Sequence, residues 1–177
     1  MMYTLPATVA LALLLFGHTA CSQNKPAGNT PAAFPTIAAQ TLSQKDIVFP
    51  DVVKGEYAFI AVAFKMRSQG QIDSWYDVYL DSLKSRGVVF YEIPMISGSW
   101  KMMSGWIDGG MRGGIPPEKH PYVATYYGPL DKLQQELGTS DDQLAYVYLL
   151  DPESKVLFMG KHFATPEQIK ALMDAAP

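Results

Sequence analysis

Apolar positions along the chain change period several times, and each change marks an element. Residues 57–64 (YAFIAVAF) are apolar at nearly every position, the pattern of a strand buried on both faces of a sheet. A turn, KMRSQGQ, follows. Ile72, Trp75, Tyr76, Tyr79, Leu80 and Leu83 then recur at the three- and four-residue spacing that predicts one apolar helix face. Asp73, Asp77, Asp81 and Lys84 hold the opposite face, and Gly87 supplies a left-handed C-terminal cap. Residues 88–93 (VVFYEI) read as a second strand, stopped by Pro94. Strand, helix and strand in that order imply a right-handed parallel crossover.

Upstream, residues 34–50 alternate apolar and polar around Ser43-Gln44-Lys45, which predicts a short β-hairpin. Downstream, residues 95–121 are the least regular. They hold Trp100, Trp106 and a helical patch over 100–111, then Gly109, Gly110, Gly113, Gly114, Pro116 and Pro117, which argue against a long helix. Residues 122–127 form a third strand. Gly128-Pro129 opens a short helix with Leu130, Leu133 and Leu137 on one side and Gly138 beyond its end. Residues 144–150 and 156–159 read as an antiparallel pair around the turn 151–155. Thr165-Pro166-Glu167-Gln168 is a capping box that starts a last helix, with Ile169, Leu172 and Met173 facing inward. The element order predicts an α/β fold: a central mixed sheet with a parallel βαβ core, an inserted loop region, and a C-terminal β-hairpin and helix.

Composition adds the context. The chain has 177 residues, a net charge of −3 and no block of like charges, so no basic field calls for nucleic acid. Residues 7–16 (ATVALALLLF) are an apolar run of signal-peptide length. Gly17, His18, Thr19, Ala20 and Cys21 follow, and the stretch resembles a bacterial lipobox, which implies lipidation of Cys21. A plain cleaved signal and an uncleaved anchor are the alternatives. The segments are then a signal over 1–21, a polar Pro/Gly/Asn-rich tether over 22–33, and a folded domain over 34–177. The expected location is the cell envelope, membrane-anchored and facing the periplasm. Ser22 in place of Asp resembles an outer-membrane sorting signal.

The domain resembles thioredoxin-like proteins. FPTIAAQTLSQKDIVFPDVVKGEYAFIAVAF matches their N-terminal approach and AYVYLLDPESKVLFMG their closing strand-turn-strand. Three segments are similar to the mitochondrial ATP synthase assembly factor ten family: AFKMRSQGQIDSWYDVYLD, VVFYEIPMISGSWKMMSGWI and YVYLLDPESKVLFMGKHFATPEQIKAL. The resemblance implies a thioredoxin-like fold and a precedent for a member without redox cysteines that assists membrane-complex assembly. In redox members a C-x-x-C pair opens the helix after the central strand, where the helix dipole lowers thiol pKa. Here Ser68 and Gln71 stand at those positions, and Ala145 stands where such folds carry a cis-proline. Ser68-x-x-Gln71 also has the form of a capping box. Cys21 is the chain's one cysteine, so thiol exchange has no reagent within the domain.

Other chemistry is sparse. Lys65 and Arg67 flank a helix N-terminus. Trp100, Lys101, Trp106, Arg112 and Lys119 lie in or beside the irregular stretch and suit a protein-protein contact if exposed. Met95, Met102, Met103, Met111 and Met159 with His120 and His162 raise a copper alternative, but their spacing is irregular and adaptable core methionines are the simpler reading. No catalytic residue, cofactor or metal site is expected. The expected role is a redox-inactive lipoprotein that binds or assists a protein partner at a membrane surface, with a thiol-disulfide or peroxide oxidoreductase and a copper-handling module as alternatives.

Overall fold

The structure is a computed structural model that describes residues 30–177; the signal and Cys21, with most of the tether, lie outside the described residues. Seven strands form a mixed sheet: β1 (Ile37–Thr41), β2 (Asp46–Phe49), β3 (Ala58–Ala63), β4 (Val89–Ser97), β5 (Ala124–Gly128), β6 (Tyr146–Leu150) and β7 (Val156–Lys161). Their order is β2-β1-β5-β4-β3-β6-β7. β3 runs parallel to β4, and β4 parallel to β5, while β6 and β7 return antiparallel. All six residues of β3 are buried, as expected for a strand covered on both faces. β1 instead alternates buried and exposed residues, as an outer strand covered on one face does. The predicted hairpin is β1-β2.

The described residues hold four α-helices, α1 (Gln69–Val78), α2 (Ser104–Gly114), α3 (Leu130–Leu137) and α4 (Pro166–Ala175), of which α1, α3 and α4 pack on the sheet. On one face Phe59, Ala61 and Ala63 of β3 meet Ile72 and Trp75 of α1 and Leu172 of α4. On the other, Ala58, Ile60 and Val62 meet Leu133 and Leu137 of α3. Period-two alternation along β3 therefore feeds both cores. Trp75 is the keystone of the α1 face. It is fully buried, its ring lies edge-on to Phe59, and its indole N–H donates to the His162 carbonyl at 2.8 Å. A Cβ on Gly160 in β7 would come within 2.8 Å of that indole, so only glycine lets the ring lie flat there.

Three predicted details change. β4 does not stop at Pro94 but runs on to Ser97. Pro94 sits where the ladder to β3 ends and the ladder to β5 begins, so its missing N–H falls at a hand-over. The helix after β3 widens into a π-turn over Tyr79–Leu83, which rotates Leu80 out to 41% exposure while Leu83 stays buried. The glycines at 109, 110, 113 and 114 do not break α2, which includes all four and stops at extended Ile115 before Pro116.

Candidate functional site

The corner where α1 begins carries the two positions that the sequence reading sets against a C-x-x-C pair. Ser68 and Gln71 are both buried, and neither forms the expected capping box. Ser68 Oγ donates instead to the Gln143 carbonyl at 2.9 Å. Gln71 Oε1 accepts the Ala145 N–H at 2.8 Å, and Gln71 Nε2 lies 3.4 Å from the Gln143 carbonyl. The reason is burial. Residues 143–145 pack directly on the corner, and an unpaired buried N–H there costs more than an uncapped helix amide open to water. Proline at 145 would have no N–H to satisfy, so Gln71 and Ala145 form a matched donor-acceptor pair. A short 3-10 turn at Met66–Ser68 leads into α1 and takes the place of side-chain capping.

Lys65 is engaged at the rim of this corner, 2.9 Å from Asp142, and its hydrogen bond holds the Asp142 carboxyl below the usual carboxylate range. Arg67 is exposed. The corner is thus a structural joint with hydrogen bonds across it.

The link from β4 to β5, residues 98–122, is built differently. It comprises a 3-10 segment Gly98–Met103, then α2, then a second 3-10 segment Pro117–Tyr122. A crossover between parallel strands normally lays an apolar helix face on the sheet. Here α2 buries only Asp108. Tyr127 of β5 donates its hydroxyl to Asp108 at 2.9 Å, and burial with this bond pushes the Tyr127 phenol well above its ordinary range. Arg112 reaches the Leu42 carbonyl at 3.5 Å, at the limit of a hydrogen bond. The apolar side chains are left outside: Met102 is 100% exposed, Trp106 77% and Trp100 52%, with Lys101 beside them.

Because the crossover stands off, a groove of about 1820 Å³ opens between it and α1. Phe90, Glu92, Pro94 and Ile96 of β4 form the floor. Ile72, Tyr76 and Tyr79 form one wall, with Phe90 packed against both tyrosines at 5.0 and 5.1 Å. Trp106, Met111, Ile115 and Tyr122 form the other wall. Lys119 bridges the walls by lying 4.1 Å from the centre of the Tyr76 ring, a cation-π contact.

Glu92 is the one charged group of the floor's strand. Loss of hydration pushes its carboxyl up to about 7, and the nearby Asp73 charge adds to the shift; Gln69 and Lys119 act in the opposite sense. Glu92 is absent from the ion pairs among the described residues, which join Lys65 to Asp142, Lys132 to Glu136 and Lys170 to Asp174.

The fold therefore gathers Lys65, Trp100, Trp106 and Lys119 around one groove, and leaves Arg67, Lys101 and Arg112 outside its lining. It separates the methionine-histidine set. Met95 lies in the α3-face core and Met159 packs against that core, Met111 lines the groove, and Met102 and Met103 are exposed. His120 Nε2 is 2.8 Å from the Ile115 carbonyl, while His162 stacks edge-on to Phe163. Among the described residues no three His, Cys, Asp or Glu side chains stand together as a metal site, and no helix is long and apolar enough to cross a membrane. Sequence reasoning missed Glu92. Its signal was available as a single acid inside an otherwise uncharged strand.

The fold is that of a thioredoxin-like protein, and with one cysteine in the chain there is no C-x-x-C pair. Solved structures of that class superimpose on it. The exposed lipoprotein thioredoxin Etrx1 of Streptococcus pneumoniae matches with a TM-score of 0.54 at 13% identity, over 79% of this chain and 98% of that one. Yeast Sco1 with copper bound gives 0.52 at 14%, over 82% and 90%. A thiol:disulfide interchange protein of the DsbE type from Chlorobium tepidum gives 0.52 at 14%, over 82% and 94%. No curated protein matches significantly. The chain belongs to the ATP10 protein family, whose family model matches residues 28–176.

Proposed function

We propose that this is a redox-silent assembly factor, held at a membrane surface by a lipidated Cys21 and the tether 22–33, that binds a protein partner through the crossover 98–122. The observation that carries the reading is the exposure of Trp100, Met102 and Trp106 on a segment that the fold would ordinarily bury. Large aromatics beside a cationic residue are the composition of binding hot spots. Membership of an assembly-factor family supports a protein partner. The corner supports a non-thiol role, since Ser68 and Gln71 are committed to backbone partners. The partner contact then belongs to Trp100, Lys101, Trp106, Arg112 and Lys119, with Lys65 and Arg67 at its margin.

Photo-cross-linking in intact membranes tests this. A photoreactive residue at position 100 or 106 should trap one reproducible protein, identified by mass spectrometry, and the same residue at exposed Lys132 on α3 should not. Equal trapping from all three positions contradicts the assignment. Cys21→Ser should move the chain from the membrane to the soluble fraction; a variant that stays membrane-bound removes the lipid anchor from the account.

A further inference from the structure

We propose that the groove over β4 takes one apolar helix from the partner protein, three to four turns long, with a basic side chain set against Glu92. This rests on the partner-binding reading above and specifies what the partner presents.

The occupant's form follows from the vacancy. α1 and α4 cover the sheet over β3, but the crossover that would cover β4 is lifted away, leaving the groove in its place. The space has the volume of a short helix. A helix about 10–12 Å across that rises about 1.5 Å per residue fills roughly 120–170 Å³ per residue. The groove's 1820 Å³ then holds roughly 11 to 15 residues. That volume is beyond most small-molecule sites, which run to about 1,000 Å³. An extended peptide fits poorly, because β4 lies between β3 and β5 and offers no free sheet edge. A helix brings its own backbone hydrogen bonds into an apolar space; a strand there would bury unpaired N–H and C=O groups.

The charge follows from the floor. Glu92 lies among Phe90, Pro94, Ile96 and Tyr76 with no ion pair. Asp73 of α1 adds a second carboxylate near it, and the cation that acts on it, Lys119, rests on the Tyr76 ring. A wholly apolar helix laid over this floor would bury a carboxyl with the Gln69 amide beside it and no ion pair. A guanidinium on that helix would supply donors in the geometry a carboxylate accepts. An acidic residue at the same place would meet Glu92 and Asp73 at close range.

The test uses three synthetic helical peptides of about 15 residues, alike in an apolar face of Leu and Ala and differing only in a central Arg, Gln or Glu. Each carries a fluorophore, and binding to the full chain is read by anisotropy at pH 8. The Arg peptide should bind about tenfold more tightly than the Gln and Glu peptides. Glu92→Gln should erase that preference while its thermal transition stays cooperative, and Trp106→Ala should weaken all three. Equal affinities, a preference for the Glu peptide, or no binding overturns the proposal. A chain that self-associates through the groove, seen as a light-scattering dimer that Trp106→Glu dissociates, makes a second copy the occupant and also overturns it. Cross-linking from positions 100 and 106 that persists in Glu92→Gln would leave the partner-binding reading standing without this groove assignment.

Discussion

The α1 corner and the 98–122 crossover occupy the same face of the sheet and solve opposite problems. At the corner, two polar side chains are buried and both find backbone partners, Ser68 on Gln143 and Gln71 on Ala145. On the crossover, apolar side chains that could be buried are exposed, and contact with the sheet is made through polar groups, Asp108 on Tyr127 and Arg112 on Leu42. The first arrangement fixes a joint. The second holds a segment at a distance and leaves its apolar surface exposed. The corner is tied into the fold, and the exposed apolar surface lies on the crossover.

The largest expected effect lies on the fixed side. Trp75→Ala should cost about 3–5 kcal/mol by emptying the space against Phe59 and Gly160 and removing the bond to His162. A urea titration would show it; a loss below about 1 kcal/mol would mean that α1 is held elsewhere.

Next comes pH. Glu92 in the folded chain keeps its proton to about 7, against an ordinary 4.5. Between these values the folded state binds the extra proton, so stability is highest at the acid end of the window and falls as pH rises through it. The expected loss is on the order of 1–3 kcal/mol, and Glu92→Gln should flatten the profile over this window. A profile that rises with pH there, unchanged by the substitution, would place Glu92 in water rather than in the groove floor.

Gln71→Ala should cost about 1–2 kcal/mol by orphaning the Ala145 N–H, and should cost more than Ser68→Ala. Equal, negligible costs would mean the corner is open. The smallest effects belong to the crossover. Gly109→Ala and Gly110→Ala should each stabilise the protein by about 0.5–1 kcal/mol, because a Cβ at either position meets nothing within 4 Å and alanine favours helix. If both destabilise, the crossover is packed more tightly than its exposed tryptophans indicate.

How much of this the sequence carries depends on which signal each element uses. The strands, α1, α3 and α4 follow apolar periodicity and cap residues, and residues such as Trp75, Leu133 and Gly138 fall where that pattern places them. The π-turn that exposes Leu80 is a local register change that no three- or four-residue pattern encodes. The helical patch read over 100–111 is realised as the 3-10 segment Gly98–Met103 followed by α2, which runs through the glycines that argued for an earlier break and stops at extended Ile115. Ser68 and Gln71 stand three residues apart in the form of a cap, and what redirects them is residues 143–145, which lie more than seventy positions away. The groove was illegible for the same reason: it is the absence of a covering helix, and its acid, Glu92, gains meaning only when Asp73 and Lys119 are brought around it.

The division between joint and free surface is tested most directly by two double variants measured side by side. Ser68→Ala/Gln71→Ala and Trp100→Ala/Trp106→Ala would each be assayed for thermal midpoint and for partner cross-linking from a photoreactive residue at the exposed position 102. The corner variant should melt several degrees lower yet trap the partner at the parental level below its transition. The crossover variant should melt near the parental midpoint and lose the adduct. The reverse result, a corner variant that melts normally and fails to trap while the crossover variant still traps, would contradict the account.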